Sequence, residues 1–468
     1  MTFQHVTISS LYGLRVFSSN VNVYFRRLKK RMRKASFIAA LLLLAPTFSQ
    51  AKTLEDLLVE KGVITKGEAV TTTASESGPA KVYYNEGTRI DFPDAGFTAQ
   101  INTMIQARYG FYDEDEDAAR RDSDPPVSFN GAGGRVNRSS FDVHRARISV
   151  SGTALYQEFA YMVEGDFVGT ATEDELAGRE SDNSKNTTLK DAWIQWQPCQ
   201  EYATRIGQFR NVFSRQSGTH DAKQQFADRS VVSEHYGLGR MQGINQSAAL
   251  ADGKFVVNAG IFNGTSDLEG TNASGIDTNH LGVVGVRFNP TGTMDPSEEG
   301  DVNHTEDLAT TVGLSYVMAE AHNDVGLGRQ EDTEFDAANA DFGLKYKGFS
   351  LQAEYYWRNA DLQHDDFDAV ETNGGYIQAG LFLKPKTWEI AGRYGYLDCD
   401  NGRAGGYCEG NDNVNEAAAT INYYWWKHQL KAQLGYYFIN EDRAGVNNDQ
   451  SGSDANTNKW LFQLSSYF

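Results

Sequence analysis

From Phe97 to Phe111 the chain alternates with a period of two. Phe97, Ala99, Ile101, Thr103, Ile105, Ala107, Tyr109 and Phe111 share one face; Thr98, Gln100, Asn102, Met104, Gln106, Arg108 and Gly110 share the other. Successive side chains of a strand point to opposite faces, so this stretch is one strand with an apolar side and a polar side. It is longer than the roughly 5–6 residues usual in a soluble sheet. The apolar face is also ordered along its length, aromatic at both ends and small or aliphatic between. Phe349, Leu351, Ala353, Tyr355 and Trp357 repeat that order opposite Ser350, Gln352, Glu354, Tyr356 and Arg358. A half-wet soluble sheet alternates too, but aromatic girdles around an aliphatic band belong to strands that cross a bilayer.

Sixteen such segments are predicted, near 97–111, 141–154, 157–168, 188–197, 201–211, 241–251, 254–263, 280–289, 308–318, 338–347, 348–358, 375–384, 386–397, 416–426, 428–439 and 458–468. Tight turns (Ala251-Asp252-Gly253, Lys347-Gly348, Pro385, Lys427) alternate with long polar loops such as Asp113–Ser140 and Asn440–Thr457. An even strand count with short turns at one end and long loops at the other is the bacterial outer-membrane arrangement. The expected fold is all-β, a 16-stranded antiparallel transmembrane β-barrel over residues 96–468, ending on Phe468. The connection Pro290–Asp307 is long on the short-turn side and breaks the rule.

The first 51 residues hold no Asp or Glu. A basic run, Arg26–Lys34, leads into the apolar Phe37–Ala45 and then Ser49-Gln50-Ala51, a secretory signal peptide cleaved after Ala51. Met32 alone would begin a well-proportioned signal, so it is the alternative start to Met1. Cleavage takes the net charge from −19 to −27, because eight basic and no acidic residues leave. Such acidity disfavours nucleic acid as a partner, and the longest apolar runs are too short for a membrane-spanning helix. Residues 52–95 are expected to form a short helix, with Leu54, Leu57, Leu58, Val63 and Ile64 at helical spacing, followed by a linker around Ser77-Gly78-Pro79.

A barrel of this size encloses water, so the polar faces are read as its lining. They carry Arg108, Arg145, Arg147, Arg287, Lys345, Arg358, Arg393 and Lys431 against Glu164, Asp166, Asp191, Asp341, Glu354 and Glu389. This lining is basic beside a strongly acidic chain. Arg108, Arg145, Arg147, Arg358 and Arg393 fall in the outer half. Guanidinium forks match phosphate and carboxylate oxygens, and a series of weak sites can pass an anion along. The segment Phe213–Arg240, with Arg215, Lys223, Arg229 and Arg240, is the candidate constriction loop.

Further stretches carry a resemblance. These are His144-Arg145-Ala146-Arg147-Ile148-Ser149-Val150-Ser151-Gly152, Leu189-Lys190-Asp191-Ala192-Trp193-Ile194, Arg205-Ile206-Gly207-Gln208-Phe209, Phe213-Ser214-Arg215, Phe226-Ala227-Asp228-Arg229-Ser230 and Gly239-Arg240. With Leu54-Glu55-Asp56-Leu57-Leu58 near the N-terminus, they resemble the phosphate-selective porin O and P family. The resemblance implies a trimeric outer-membrane channel for anions such as phosphate or polyphosphate, with an arginine ladder and a lysine cluster. Arg145, Arg147, Arg215 and Arg229 sit in matching motifs. Lysine is sparser here than that pattern, and Asp341 and Glu354 add opposing charge.

The expected function is therefore passive anion diffusion by a homotrimer set in outer-membrane lipid and lipopolysaccharide, without cofactor or metal. A general small-solute porin with a weak anion bias is the alternative. An enzyme is disfavoured, since His144 near Ser139 and Ser140 lacks any G-x-S-x-G or H-x-x-E-H frame, and an adhesin barrel would have a blocked lumen. Cys399 and Cys408 flank a loop in an oxidising compartment, where a disulfide is expected, leaving Cys199 free.

Overall fold

The computed structural model describes residues 80–115, 135–168, 187–263, 276–278, 280–324, 330–362, 369–400, 408, 411–443 and 454–468. The expected signal peptide and N-terminal helix lie outside these residues. The strands form a closed 16-stranded antiparallel barrel. In order they are β1 Phe97–Asp115, β2 Arg135–Ala154, β3 Phe159–Asp166, β4 Thr188–Cys199, β5 Tyr202–Arg210, β6 Arg240–Leu250, β7 Phe255–Phe262, β8 Leu281–Phe288, β9 Ala309–Asp324, β10 Gln330–Tyr346, β11 Phe349–Leu362, β12 Val370–Lys384, β13 Trp388–Asp398, β14 Asn411–Trp426, β15 Leu430–Arg443 and β16 Ala455–Tyr467. Every segment read from the alternation is a strand. Closure comes from β16 against β1, from Thr457 opposite Glu114 to Tyr467 opposite Met104.

The register of faces is the reverse of a soluble sheet. On β1, Ile101 and Ile105 are exposed while Asn102, Gln106 and Arg108 are buried. The same holds on β13, with Trp388, Ile390, Tyr394 and Tyr396 outside and Glu389 and Arg393 inside. Such a wall is stable only with an apolar medium around it. The tight turns sit where the sequence puts them: Lys347 and Gly348 both have positive φ, 48° and 85°, the pattern of a two-residue hairpin turn whose twist matches its strands. A Cβ on Gly348 would also lie 2.7 Å from Nδ1 of His304.

Two features depart from expectation. Within the segment read as linker, Lys81–Tyr84 and Thr88–Phe92 form a hairpin. Its second strand pairs with Phe97–Ile101 of β1, continuing the seam beyond the end of β16. The larger departure is inside. The lumen was expected to be an aqueous channel with Phe213–Arg240 as a candidate constriction loop; the chain between β5 and β6 does run into it, but it fills the whole side facing β10–β16.

This inner segment carries α1 Arg215–Gly218, a 3-10 turn Asp221–Lys223 and α2 Val231–Tyr236. Ser214 and Ser230 cap the two helices, accepting from Ser217 N and Ser233 N. Phe213, Val231, Val232 and Tyr236 pack with Tyr356, Tyr376 and Leu397 of the wall, and Phe226 packs edge-on to Tyr437. The wall residues occupy the inward register of their strands, so the lumen has an apolar floor on this side.

The anomalous connection between β8 and β9 completes the arrangement. It folds inward from the short-turn end and joins the inner segment through backbone bonds: His220 N donates to Ser297 O at 2.9 Å, and Glu299 N to Lys223 O at 3.1 Å. Glu299 accepts from Gln225 N, Gln216, Gln352 and Gln378 at 2.7–3.2 Å. Asp301 accepts from Gly348 N at 2.7 Å and from Thr305. Its extra length is a second layer that props the first.

Candidate functional site

Asp221 is the electrostatic centre of the inner segment. Its carboxylate meets Arg229 at 2.6 Å, Arg210 at 2.7 Å, Arg145 at 3.7 Å and Arg147 in direct contact. Arg147 continues to Asp166 at 2.6 Å and Glu164 at 3.4 Å. Glu164 reaches Arg240 at 3.2 Å, which holds Asp191 at 2.7 Å. A chain of alternating charge thus ties β2, β3, β4 and β6 to the segment. Burying one such charge without partners costs several kcal/mol, whereas a satisfied network loses much less.

A second cluster pins the far side. Asp228 binds Arg108 at 2.9 Å and also Lys459. Arg393 meets Glu416 at 2.6 Å, donates to the carbonyls of Asp228 and Arg229, and lies 4.4 Å over the ring of Phe226. Nearer α1, Arg215 pairs with Asp341 at 2.7 Å, and Glu354 accepts from the amides of Arg215 and Gln216 at 2.9 and 2.7 Å. These two amides have no acceptor within their own helical turn, and the Glu354 carboxylate satisfies both.

What is left open is a cavity of about 560 Å³ on the side facing β2–β9. Its charged lining is Arg205, Arg210, Arg215, Lys223, Arg240 and Arg287 against Glu86, Glu164, Asp191 and Asp341. Arg215, Lys223 and Arg240 of the sequence-predicted residues are in this lining. Arg108, Arg145, Arg147, Arg229, Arg358 and Arg393 are not. Arg108, Arg147 and Arg393 are buried in the contacts just given. Arg358 reaches Nε2 of His235 at 2.9 Å. Arg205 and Arg210 were missed as site residues, although both lie on β5 within or beside a motif already singled out. Lys223 pairs loosely with Asp295 and Glu298, at 3.6 and 3.9 Å. Cys399 and Cys408 are bonded and buried, and Cys199 is free and exposed.

The docked segment is sensitive to acid. Burial pushes His220 and His235 down to about 3, the latter helped by Arg358. Burial alone would raise Asp221, but Arg210, Arg145, Arg229 and Arg147 hold it well below the usual carboxylate range. A segment released into water regains histidines that titrate near 6.5, so it binds protons that the docked form refuses. Docking is therefore fully supported above pH ~6.5 and weakens as pH falls, by at most about 1.4 kcal/mol per histidine per unit. Asp221 adds the same sign lower, once pH falls below its unperturbed range near 3.8. Open-channel noise should rise between pH 7 and pH 5 and reverse on neutralisation; identical traces across that range would contradict this coupling.

A family model described as phosphate-selective porin O and P matches residues 123–467. An uncharacterized protein of Aquifex aeolicus (strain VF5) is 25% identical over 441 residues, covering 87% of this chain and 95% of that one. Among solved structures, the outer membrane channel DcaP of Acinetobacter baumannii has a similar fold, with a TM-score of 0.53 at 12% identity over 81% of this chain and 99% of that chain. OmpT of Vibrio cholerae has a TM-score of 0.48 at 11% identity, over 83% of this chain and 100% of that one.

Proposed function

The chain belongs to the phosphate-selective porin O and P family, and on that premise we propose that its channel passes small anions down their gradient, phosphate and polyphosphate favoured. The observation that carries this reading is the charge of the cavity. Six cations face four carboxylates in its lining, while the whole chain has a net charge of −19. A conduit whose walls are more positive than their surroundings concentrates anions, and forks set at intervals offer them successive weak sites. In this reading Arg215, Lys223 and Arg240 face the route. Arg108, Arg145, Arg147, Arg229, Arg358 and Arg393 shape it by holding the inner segment. Signal cleavage after Ala51, a homotrimeric assembly, and outer-membrane lipid and lipopolysaccharide as surroundings complete the proposal.

A general small-solute porin is the second reading, and it is favoured by one observation: most of the cavity's cations already have carboxylate partners. Reversal potentials across planar bilayers under a potassium chloride gradient separate the two. The anion reading expects a reversal potential of chloride's sign, and a reduction of chloride current by phosphate at low millimolar concentration. A value near zero, with no effect of phosphate, would favour the general porin.

A further inference from the structure

We infer that the cavity contains a site for organic anions that join a carboxylate to a flat apolar body, built by Arg205 and Trp193; this rests on the anion reading above. The two residues meet because of the strand pairing. Gln195 of β4 lies opposite Arg205 of β5, and Trp193 lies opposite Gly207. A Cβ at Gly207 would fall 2.1 Å from the carbonyl oxygen of Ala192 and 2.7 Å from Cα of Trp193, so no side chain can stand there. The guanidinium of Arg205 reaches diagonally across instead and lies 4.0 Å over the indole of Trp193, a separation at which cation and ring attract.

The fork is only partly used. Nε and Nη2 both donate to Oε1 of Gln195, at 3.0 and 2.8 Å. A guanidinium has five N–H donors, so three are left over beside the cavity. Among the described residues Arg205 has no carboxylate within ion-pair distance, unlike the other five cations of the lining. Arg210 has Asp221, Arg215 and Arg287 have Asp341, Lys223 has Asp295 and Glu298, and Arg240 has Asp191. Arg205 is the cation whose charge is available to a solute.

Its surroundings select the kind of solute. Met162 lies opposite Trp193 on the neighbouring strand, and both line the cavity. Indole and thioether surface offers nothing to a bare, strongly hydrated oxyanion. It does favour a ring or a flat chain that leaves water, while the carboxylate takes the unused edge of the fork. Aromatic carboxylates fit both halves.

The test is block of chloride current through the whole reconstituted channel by benzoate, acetate and inorganic phosphate. Benzoate should reach half-block at a concentration about tenfold lower than acetate. Arg205→Lys keeps the charge but loses the planar fork, so the benzoate-to-acetate ratio should fall towards one. Trp193→Leu should lower the ratio in the same way, and Trp193→Phe, which keeps a ring and guards against misfolding of the leucine variant, should retain most of it. A wild-type ratio within about twofold of one, in a channel that still selects anions, overturns the site. So does an unchanged ratio in Arg205→Lys. A reversal potential near zero in the wild type overturns the anion reading itself, and the site with it.

Discussion

Replacing Asp221 by Asn is expected to release the inner segment and raise single-channel conductance by twofold or more. The substitution keeps the shape and removes one charge from among four guanidinium groups. An exposed pair is worth about 0–1 kcal/mol, but stripping one partner from a buried pair costs on the order of 3–5 kcal/mol, because the remaining charges are left uncompensated. That loss is spread over β2, β5 and the segment itself, since Arg145, Arg147, Arg210 and Arg229 come from all three. The freed arginines would face water, so the larger current should also become more anion-selective. Wild-type conductance, noise and thermal stability in the variant would show that Asp221 does not hold the segment.

The second large effect is expected at Arg393. On the sequence it reads as a contact for a passing anion; in the structure its charge is spent on Glu416 and its donors on the carbonyls of Asp228 and Arg229. Arg393→Met keeps much of the apolar stem over Phe226 but leaves Glu416 buried without its partner, again a loss on the order of 3–5 kcal/mol. Flickering current and faster proteolysis within Ala227–Tyr236 are the expected signs. A purely solute-contacting arginine would change selectivity in the steady current and leave noise and proteolysis alone. That result would restore the sequence-based role.

The wall was legible because a strand between lipid and interior must repeat every two residues, and β1 and β11 write that repeat without interruption. Phe213–Arg240 stood out as a candidate constriction loop, but how much of the lumen it fills was not legible, although the filling left traces. Tyr356, Tyr376, Leu397 and Tyr437 are apolar bodies in the inward register of their strands, where a purely aqueous lining has no use for them. The overlong connection at Pro290–Asp307 was visible as an irregularity, but its cause lies in contacts across the interior. Glu299 meets Gln216, Gln352 and Gln378, three residues that nothing in local sequence joins to it. Arginines are likewise easy to count on a face, while the carboxylates that neutralise them arrive from distant segments. Periodicity is a local property; charge pairing inside a barrel is not.

The two-layered filling also gives the molecule a mechanical sidedness. Over β10–β16 the wall is braced from within by the inner segment and its prop, whereas the arc over β3–β8 is a single sheet with the cavity directly behind it. Lateral stress from a thinner or thicker bilayer should be absorbed by the softer arc. Because that arc is the one bordering the cavity, its bending would change the cavity's width, and on the proposed function bilayer thickness should act as a control on flow.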